Sequence, residues 1–491
     1  MLTIPEIRTF ITNDAASPSK QDAMIGQAYY EGRHDIEKRK IYFLDENDEW
    51  QEDKLKSNIR ISHPFHRELS DQVVQYILSG EEAYIRSDIP ELQKELDSRF
   101  NENEDFTAEL YKMLTGVVAK GWDYMYAYKN DDNITAFQHA DSLGVVEVRA
   151  KETDDGCAYV IHWYEETVID KVVRRIEVWD EKNVWFYCQV DGGDIVLDDS
   201  EEYNPRPHTL YHKGKQVFKN DKNSYGQIPF FRMDNFPLKR SDLFYYKDAI
   251  DDYDLMNCDL SNNLQDTNEA SYILTGFDGD NLDELMRNFR AKKQMGVPEG
   301  GDVHTETVDV PYEARKAKMD IDKENIYHFG QGLNTEGLKD TSATTNLAIQ
   351  QAYSQLDARS VKVKISLKQF LRKLLKVVLP EINQMNGTDY QQKDVYFKFE
   401  PGTPTNASEN AQIELTEAQK RQTEINTVLN IQTVIDDETK MQLICEQLDI
   451  DYNDIKDKLP KPEEDPTVAA QNALQNITPE ETQGGEGDLI A

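Results

Sequence analysis

The chain has 491 residues, of which 38% are hydrophobic and 30% charged, so it can bury sizeable cores, and its length predicts about three domains. Its 55 basic and 92 acidic residues give a formal charge of −37. This acidity argues against tight nucleic-acid binding, because that binding depends on Lys and Arg neutralising phosphates.

Targeting and cross-linking signals are missing from the sequence. The N-terminus, MLTIPEIRTF, has no basic region followed by an apolar stretch, and no apolar run approaches the roughly 20 residues that span a bilayer. The four cysteines are scattered without CxxC spacing, which argues against a zinc site or a disulfide framework. We therefore expect a soluble, intracellular protein with no membrane contact, no metal and no cofactor.

The first 241 residues predict a mixed α/β region. Apolar spacing predicts helices at 67–79 and near 107–119, and Gly80 ends the first. Runs of alternating Val, Ile, Trp and Tyr with Asn/Asp/Gly turns then predict antiparallel strands, including YMYAYKNDDNITAFQHA, CAYVIHWYEE and RRIEVWDEKNVWFYCQV.

Residues 242–269 predict a long helix with one narrow apolar stripe. The stripe consists of Phe244, Ile250, Tyr253, Met256, Leu260 and Leu264. The other faces carry Asp248, Asp251, Asp252, Asp254 and Asp259, which we interpret as a solvated surface. A helix this polar is expected to pack against one partner helix or against copies of itself.

The next segments alternate between irregular and helical patterns. Residues 271–310 show only short, irregular patterns. Pro311 then begins a second polar helix, which ends at Gly330. A basic cluster lies within the irregular segment, at Arg287, Arg290, Lys292 and Lys293. Residues 330–346 are rich in glycine and hydroxyl groups, which predicts a mobile loop between two helices.

A very long helix is predicted from about Thr344 to Gln384, with Pro380 bending or ending it late. Its apolar stripe consists of Val363, Leu367, Phe370, Leu371, Leu374, Leu375 and Val378. Its polar face carries Arg359, Lys362, Lys364, Lys368, Arg372, Lys373 and Lys376. This face either binds nucleic acid or pairs with acidic surfaces of the same or a neighbouring chain; we favour the second, given the 37 surplus negative charges.

The C-terminal region predicts a strand, DVYFKFEP, then helices at about 408–431 and 437–448. Residues 460–491 are acidic and poor in apolar side chains, which is typical of disorder. No internal repeat is found.

Catalytic signatures are nearly absent. The chain has no GxxxxGK[ST], GxGxxG after a strand, HExxH or GxSxG motif. His63 and His66 have metal-compatible spacing, but Pro64 between them disfavours helical presentation, so a surface or capping role is expected. The 330–346 loop lacks the strand-to-helix context of a phosphate-binding loop.

The order of features resembles the portal proteins of tailed bacteriophages, of the long-tailed type that infects Gram-positive hosts. The similar segments cover most of the chain except the tail. They are YYEGRHDI, NIRISHPFHRELSDQVVQYILSG, GWDYMYAYKNDDN, GQIPFFRMDN, DLFYYKDAIDDYDLMNCDLSNNLQD, residues 330–379 and TVIDDETKMQLICEQL. Each is weak alone, and the specificity lies in their order and spacing.

The resemblance implies a non-enzymatic α+β subunit of a cyclic ring, dodecameric in the capsid, through which double-stranded DNA enters and leaves. It implies a domain map of wing (1–241 and 347–404), stem helices (242–270 and 311–329), clip (271–310), tunnel loop (330–346), helical crown (405–459) and acidic tail (460–491). The virion vertex is the implied location, with the host cytoplasm before assembly. The implied partners are the terminase large subunit, scaffolding and major capsid proteins, and a head-completion adaptor.

Three sets of residues are candidates for function under this resemblance. DNA contact is expected from the tunnel-loop residues Asn334, Thr335, Lys339, Thr341, Ser342 and Thr344. Docking is expected from the clip residues Arg287, Arg290, Lys292 and Lys293, and an acidic tunnel lining from Asp248, Asp251 and Asp252. The alternatives are another structural virion component, such as a minor head or adaptor protein, or a metal-dependent nuclease using Asp251 and Asp254.

Overall fold

The computed structural model describes residues 1–447 except 46, 55, 81–82, 150–155, 214–215, 219–223, 267–270, 276–301, 307–310, 335–345, 400–406 and 431–436. Chain contacts divide the protein into two compact units, Met1–Pro404 and Thr405–Ala491. The predicted disordered tail lies outside the described residues.

Helices account for most of the regular structure in the first unit. They are α1 (Ile4–Ala15), α2 (Pro18–Tyr30), α3 (Phe65–Leu78), α4 (Pro90–Leu96), α5 (Glu104–Lys120), α6 (Lys247–Asp266), α7 (Tyr312–Phe329) and α8 (Asn346–Asn386). The second unit contains α9 (Ala407–Asn430) and α10 (Asp437–Gln447). The predicted helices are confirmed, and α1, α2 and α4 were not predicted.

Strands of the first unit form several small antiparallel sheets. The largest sheet has the order β10-β9-β8-β7-β6, and β11 pairs with β9; a second has the order β14-β4-β5. Their bounds are β4 (Trp122–Lys129), β5 (Thr135–Ala140), β6 (Val145–Val148), β7 (Tyr159–Val168), β8 (Lys171–Trp179), β9 (Asn183–Val190), β10 (Ile195–Leu197), β11 (Arg206–Pro207) and β14 (Phe230–Asp234).

The remaining strands form two-stranded pairs. They are β1 (Tyr42–Leu44) with β2 (Trp50–Glu52), β3 (Ile85–Arg86) with β17 (Tyr396–Phe397), β12 (Tyr211–Lys213) with β13 (Gln216–Phe218), and β15 (Ser271–Thr275) with β16 (Asp302–Glu306). The strand predicted in DVYFKFEP is therefore reduced to the two residues of β17. The mixed helices and sheets confirm the predicted α+β class.

The main hydrophobic core is built around α8. Its predicted apolar stripe is buried, from Val363 to Val378, and packs with side chains of α3, α5 and β4. Pro380 lies inside α8, which continues to Asn386, so the proline does not end the helix. Side chains of the next turn, including Ile382, remain in the core, and this burial holds the helix together beyond the proline.

Candidate functional site at the base of the α6–α7 pair

Helices α6 and α7 pack against each other as an antiparallel pair. Lys318 of α7 forms an ion pair with Asp252 of α6, and Ile250 and Ile326 are fully buried in one cluster at the base. In the chain, β15 follows α6 and β16 precedes α7, and these two strands pair with each other. The prediction that the polar 242–269 helix packs against a partner helix is therefore confirmed within a single chain.

A second element, the extended segment 57–63, lies along α6; we call it the strap. Every second backbone N–H of the strap donates a hydrogen bond to a side chain of α6. Successive acceptor residues are four positions apart along the helix. Two extended residues advance about 6.6 Å and four helical residues about 6 Å, so the two periods match. The four rungs are Ser57–Asp266, Ile59–Asn262, Ile61–Cys258 and His63–Asp254, with donor–acceptor distances of 2.7 to 3.2 Å.

Asp254, at the base of this ladder, is wholly buried. Its two carboxylate oxygens accept from His34 Nδ1 at 2.6 Å and His63 Nδ1 at 2.7 Å. Burial opposes ionisation, but the hydrogen bonds from both histidines outweigh it and hold the pKa of Asp254 below its usual value. The expectation that Asp254 belongs to a solvated face is therefore wrong, because α6 is packed on one side by α7 and on another by the strap.

His66 is also fully buried, so the expected surface or capping role is wrong for this residue. The residue lies in the first turn of α3, which begins immediately after Pro64. Its Nε2 faces the backbone carbonyl of Ala119 at 3.2 Å, and its Nδ1 faces the Tyr246 hydroxyl at 2.8 Å. A neutral ring satisfies both contacts, donating to the carbonyl and accepting from the hydroxyl.

Arg359 ties α8 to the start of α6. The side chain is 4% exposed and donates to both oxygens of Asp242, at 2.7 and 2.9 Å, and to Asn235 Oδ1 at 2.6 Å. The predicted basic face of α8 is therefore not uniformly solvated. At Arg359 the favoured interpretation, pairing with an acidic group of the same chain, is confirmed.

The first residues of the predicted mobile loop are fixed to the body. Leu333 is buried, its N–H donates to Gln72 Oε1 at 2.9 Å, and its carbonyl accepts from Gln72 Nε2 at 3.0 Å. A Cβ at Gly332 would lie 2.0 Å from a Leu69 methyl group, so any larger residue would force the Leu69 side chain to move. Mobility is thus contradicted for residues 330–333, which form an anchored base.

Of the tunnel-loop candidates, only Asn334 is among the residues that the structure describes. Asn334 is half-buried and directly follows the anchored base. Thr335, Lys339, Thr341, Ser342 and Thr344 lie outside the described residues, as do the clip candidates Arg287, Arg290, Lys292 and Lys293. Their assigned roles stay predictions.

The three acidic tunnel candidates lie in different environments. Asp251 accepts a hydrogen bond from Tyr29 and pairs with Lys247, while Asp252 pairs with Lys318. Asp248 is exposed, and no ion pair involves it among the residues that the structure describes. Asp248 is therefore the member best placed to act on something outside the subunit.

These contacts do not resemble a catalytic or metal centre. The nuclease alternative required an open pair at Asp251 and Asp254, yet Asp254 is enclosed between two histidines. Within the described ranges, no three His, Cys, Asp or Glu side chains are grouped to hold a metal, and no helix is long and apolar enough to cross a membrane. All four cysteines are free.

The fold and this site define a structural subunit, in which a polar helix pair is held by the strap and by buried hydrogen bonds at its base. The family described as phage portal protein, SPP1 Gp6-like, matches residues 18–451, and the chain belongs to this family. It is therefore a virion component of the portal through which phage DNA is packaged and ejected, and not an enzyme. Portal proteins form cyclic rings, so ring formation belongs to this chain as well.

Two relatives are themselves portal proteins. The portal protein of Bacillus phage SPP1 is 25% identical over 350 residues, which cover 71% of this chain and 67% of that protein. The portal protein of Clostridium phage phiCD119 is 24% identical over 393 residues, covering 77% and 82%. The solved neck of a native GTA particle, computed with C12 symmetry, aligns over 78% of this chain and 89% of that one at 11% identity, with a TM-score of 0.37.

Proposed function

We propose that twelve copies of this chain form the portal ring and that residues 334–346 of each copy make the moving contact with DNA. The observation that carries this proposal is the anchored base at 330–333. The loop leaves α7 from a fixed point on α3 and returns to α8, which is embedded in the main core. A segment that starts from an anchored base can contact DNA without disturbing the packing of the body.

The rest of the subunit is assigned accordingly. Residues 1–241 and 347–404 form the wing, α6 and α7 the stem, 271–310 the clip, and 405–459 the crown. The stem assignment is supported by the polar character of α7, whose exposed side includes Lys316, Asp320 and Glu324. Side-by-side packing of such helices in a ring supplies buried area that a single subunit lacks.

The loop role is tested by replacing residues 334–340 with a Gly/Ser linker of equal length. Rings should form normally in negative-stain images, because the anchored base is untouched, whereas the DNA packaged per head should fall. A matched Gly/Ser replacement of the exposed turn 191–194 should change neither. Normal packaging by the loop variant would reject the loop role, and wild-type protein that never forms rings would reject the ring.

The clip is proposed to dock the terminase large subunit through Arg287, Arg290, Lys292 and Lys293. Converting all four to Glu should leave rings intact and abolish terminase capture by immobilised portal. Capture at the wild-type level would show that terminase docks on a different surface of the ring. The scaffolding protein, the major capsid protein and the head-completion adaptor are the other partners proposed for the ring.

A further inference from the structure

The β1–β2 hairpin exposes an unusual amount of apolar surface. All six of its strand residues are exposed, and the large apolar ones are Tyr42 at 51%, Phe43 at 46%, Leu44 at 51% and Trp50 at 69%. A two-stranded hairpin is marginally stable in water by itself, and contiguous exposed apolar side chains mark interaction sites. The hairpin therefore has the character of a binding element.

The hairpin is joined to the stem by a fixed base. Lys40 pairs with Glu52 at 2.9 Å across its open end, and Arg60 of the strap donates to the carbonyl of Arg39 at 3.0 Å. Because the strap is fastened rung by rung to α6, the hairpin leaves the stem from a defined position. A presented arm loses less conformational entropy on binding than a free segment does.

The hairpin is also strongly acidic. Residues 42–52 contain five acidic side chains and no basic one. Its partner must therefore combine apolar side chains with an excess of positive charge, which is uncommon on a protein of charge −37.

One surface of the same chain has this combination. A cavity of about 360 Å³ lies where the start of α6, the end of α7 and α8 meet. Its volume falls in the range of sites that hold small organic groups. Four apolar side chains on its lining are exposed: Phe236 at 44%, Leu238 at 58%, Tyr245 at 50% and Phe329 at 53%.

The charge of the cavity is opposite to that of the hairpin. Its lining includes the cations Arg240, Arg359 and Lys362 and the carboxylate of Asp242, and Arg240 also pairs with Asp22 at 2.7 Å. Asp242 is already paired with Arg359, and Arg359 Nη1 has no hydrogen-bond partner within the described part of the chain. A positive, apolar-rimmed cavity thus complements an acidic, aromatic arm.

We propose that the β1–β2 hairpin of one subunit docks into this cavity of the adjacent subunit, with Trp50 entering it and the hairpin carboxylates facing Arg240 and Lys362. The inference rests on the proposed ring, since a cyclic assembly needs two different complementary surfaces on every copy. Buried tryptophan and arginine are the side chains that most often dominate such contacts. The contact places the neighbour's arm beside the anchored base of the tunnel loop.

A disulfide trap tests the contact directly. The double variant Trp50→Cys/Leu238→Cys, oxidised after assembly, should give a ladder of covalent oligomers on a denaturing gel, and each single variant should give none. Rings seen by negative stain without a ladder would overturn the hairpin contact and leave the ring proposal standing. Wild-type protein without rings would instead overturn the ring.

Binding strength provides a second test that does not depend on cysteine geometry. Trp50→Ala should raise the concentration for half-maximal ring assembly about 30-fold, as for a hot-spot residue. Glu49→Lys and Lys362→Glu should each weaken assembly, and their combination should restore it. Leu197→Ala, which removes an apolar side chain of β10 that is 49% exposed, is the control.

The competing occupant of the cavity is a DNA phosphate. If Lys362→Glu and Trp50→Ala leave assembly unchanged while Lys362→Glu weakens binding of a short DNA duplex, the cavity is a phosphate site and the proposal is wrong.

Discussion

The core around α8 and the base of the α6–α7 pair are both well buried, but they are built from different chemistry. The α8 core is almost wholly apolar, with Leu367, Phe370 and Leu374 at 1% exposure or less. The base buries His34, His66, Asp254, Asp242 and Arg359. The first region is stabilised by close packing and by the removal of apolar surface from water. The second is stabilised by hydrogen bonds between groups that are costly to bury without a partner.

The two regions should therefore fail in different ways. Removing volume from the α8 core should destabilise the subunit in proportion to the cavity created. At the base, a substitution that keeps the volume but removes a charge or an acceptor should be damaging, because a buried polar partner is left unsatisfied. The following predictions test this contrast.

The largest effect is expected from Phe370→Ala in the α8 core. Removing a fully enclosed aromatic ring should lower the free energy of unfolding by about 3–5 kcal/mol. Chemical unfolding followed by circular dichroism measures the loss. Val361→Ala on the same helix, where the side chain is 54% exposed, should change it by less than about 0.5 kcal/mol. Equal losses in the two variants would contradict the burial assigned to α8.

His66 should make the base sensitive to mild acid. Burial, first among the causes, lowers its pKa to about 4 from 6.5. The unfolded chain therefore binds the proton more readily, and stability should be retained above pH 6.5 and lost progressively as the pH falls from 6.5 to about 4. The loss should total about 3 kcal/mol, at 1.36 kcal/mol for each unit of pKa shift.

Unfolding measured between pH 7 and 4 tests this effect. His66→Gln should flatten the profile in that window, and the matched variant of the exposed His328, His328→Gln, should not. A profile that stays equally steep in His66→Gln would assign the pH dependence to other groups.

Asp254→Asn tests the polar base without changing volume. The amide keeps the shape of the carboxylate but removes its charge and presents N–H groups where one of the two histidines needs an acceptor. The free energy of unfolding should fall by about 2 kcal/mol. Asp259→Asn, five residues further along α6, is the control and should be nearly neutral. If the two variants behave alike, the His34–Asp254–His63 contacts contribute little to stability.

This contrast also explains what could be predicted from the sequence. The α8 stripe, helices α6 and α7 and strands β7–β9 could be predicted, because each shows a periodic pattern of apolar residues over a short stretch of sequence. The partners of Asp254 are 220 residues away at His34 and 191 at His63, so no local pattern marks it as buried. The HPFH sequence at the start of α3 could be recognised in the sequence. The role of its second histidine, His66, depends on contacts with Ala119 and Tyr246, which are distant in sequence and are brought close only by the fold.

The anchored base of the loop escaped prediction for the same reason. Its glycines indicated flexibility, whereas Gly332 serves close packing against Leu69 of α3. The strap was missed because an extended segment that bonds to helix side chains has no strand partner, and its alternation is limited to Ile59 and Ile61. A helix with Asp, Cys, Asn and Asp at four-residue intervals is the signal that could have suggested it.

The smallest effect on stability, and the sharpest on function, is expected from Asp248→Lys. The side chain is exposed, so reversing its charge should change the free energy of unfolding by less than about 0.5 kcal/mol. If Asp248 lines the tunnel, each ring gains a circle of lysines that attract DNA phosphates, and packaging should slow, most strongly at low ionic strength. Asp170→Lys makes the same charge change in the exposed β7–β8 turn and should leave packaging unchanged. Equal packaging rates in the two variants would reject the acidic lining and leave the acidity of α6 as a contribution to solubility alone.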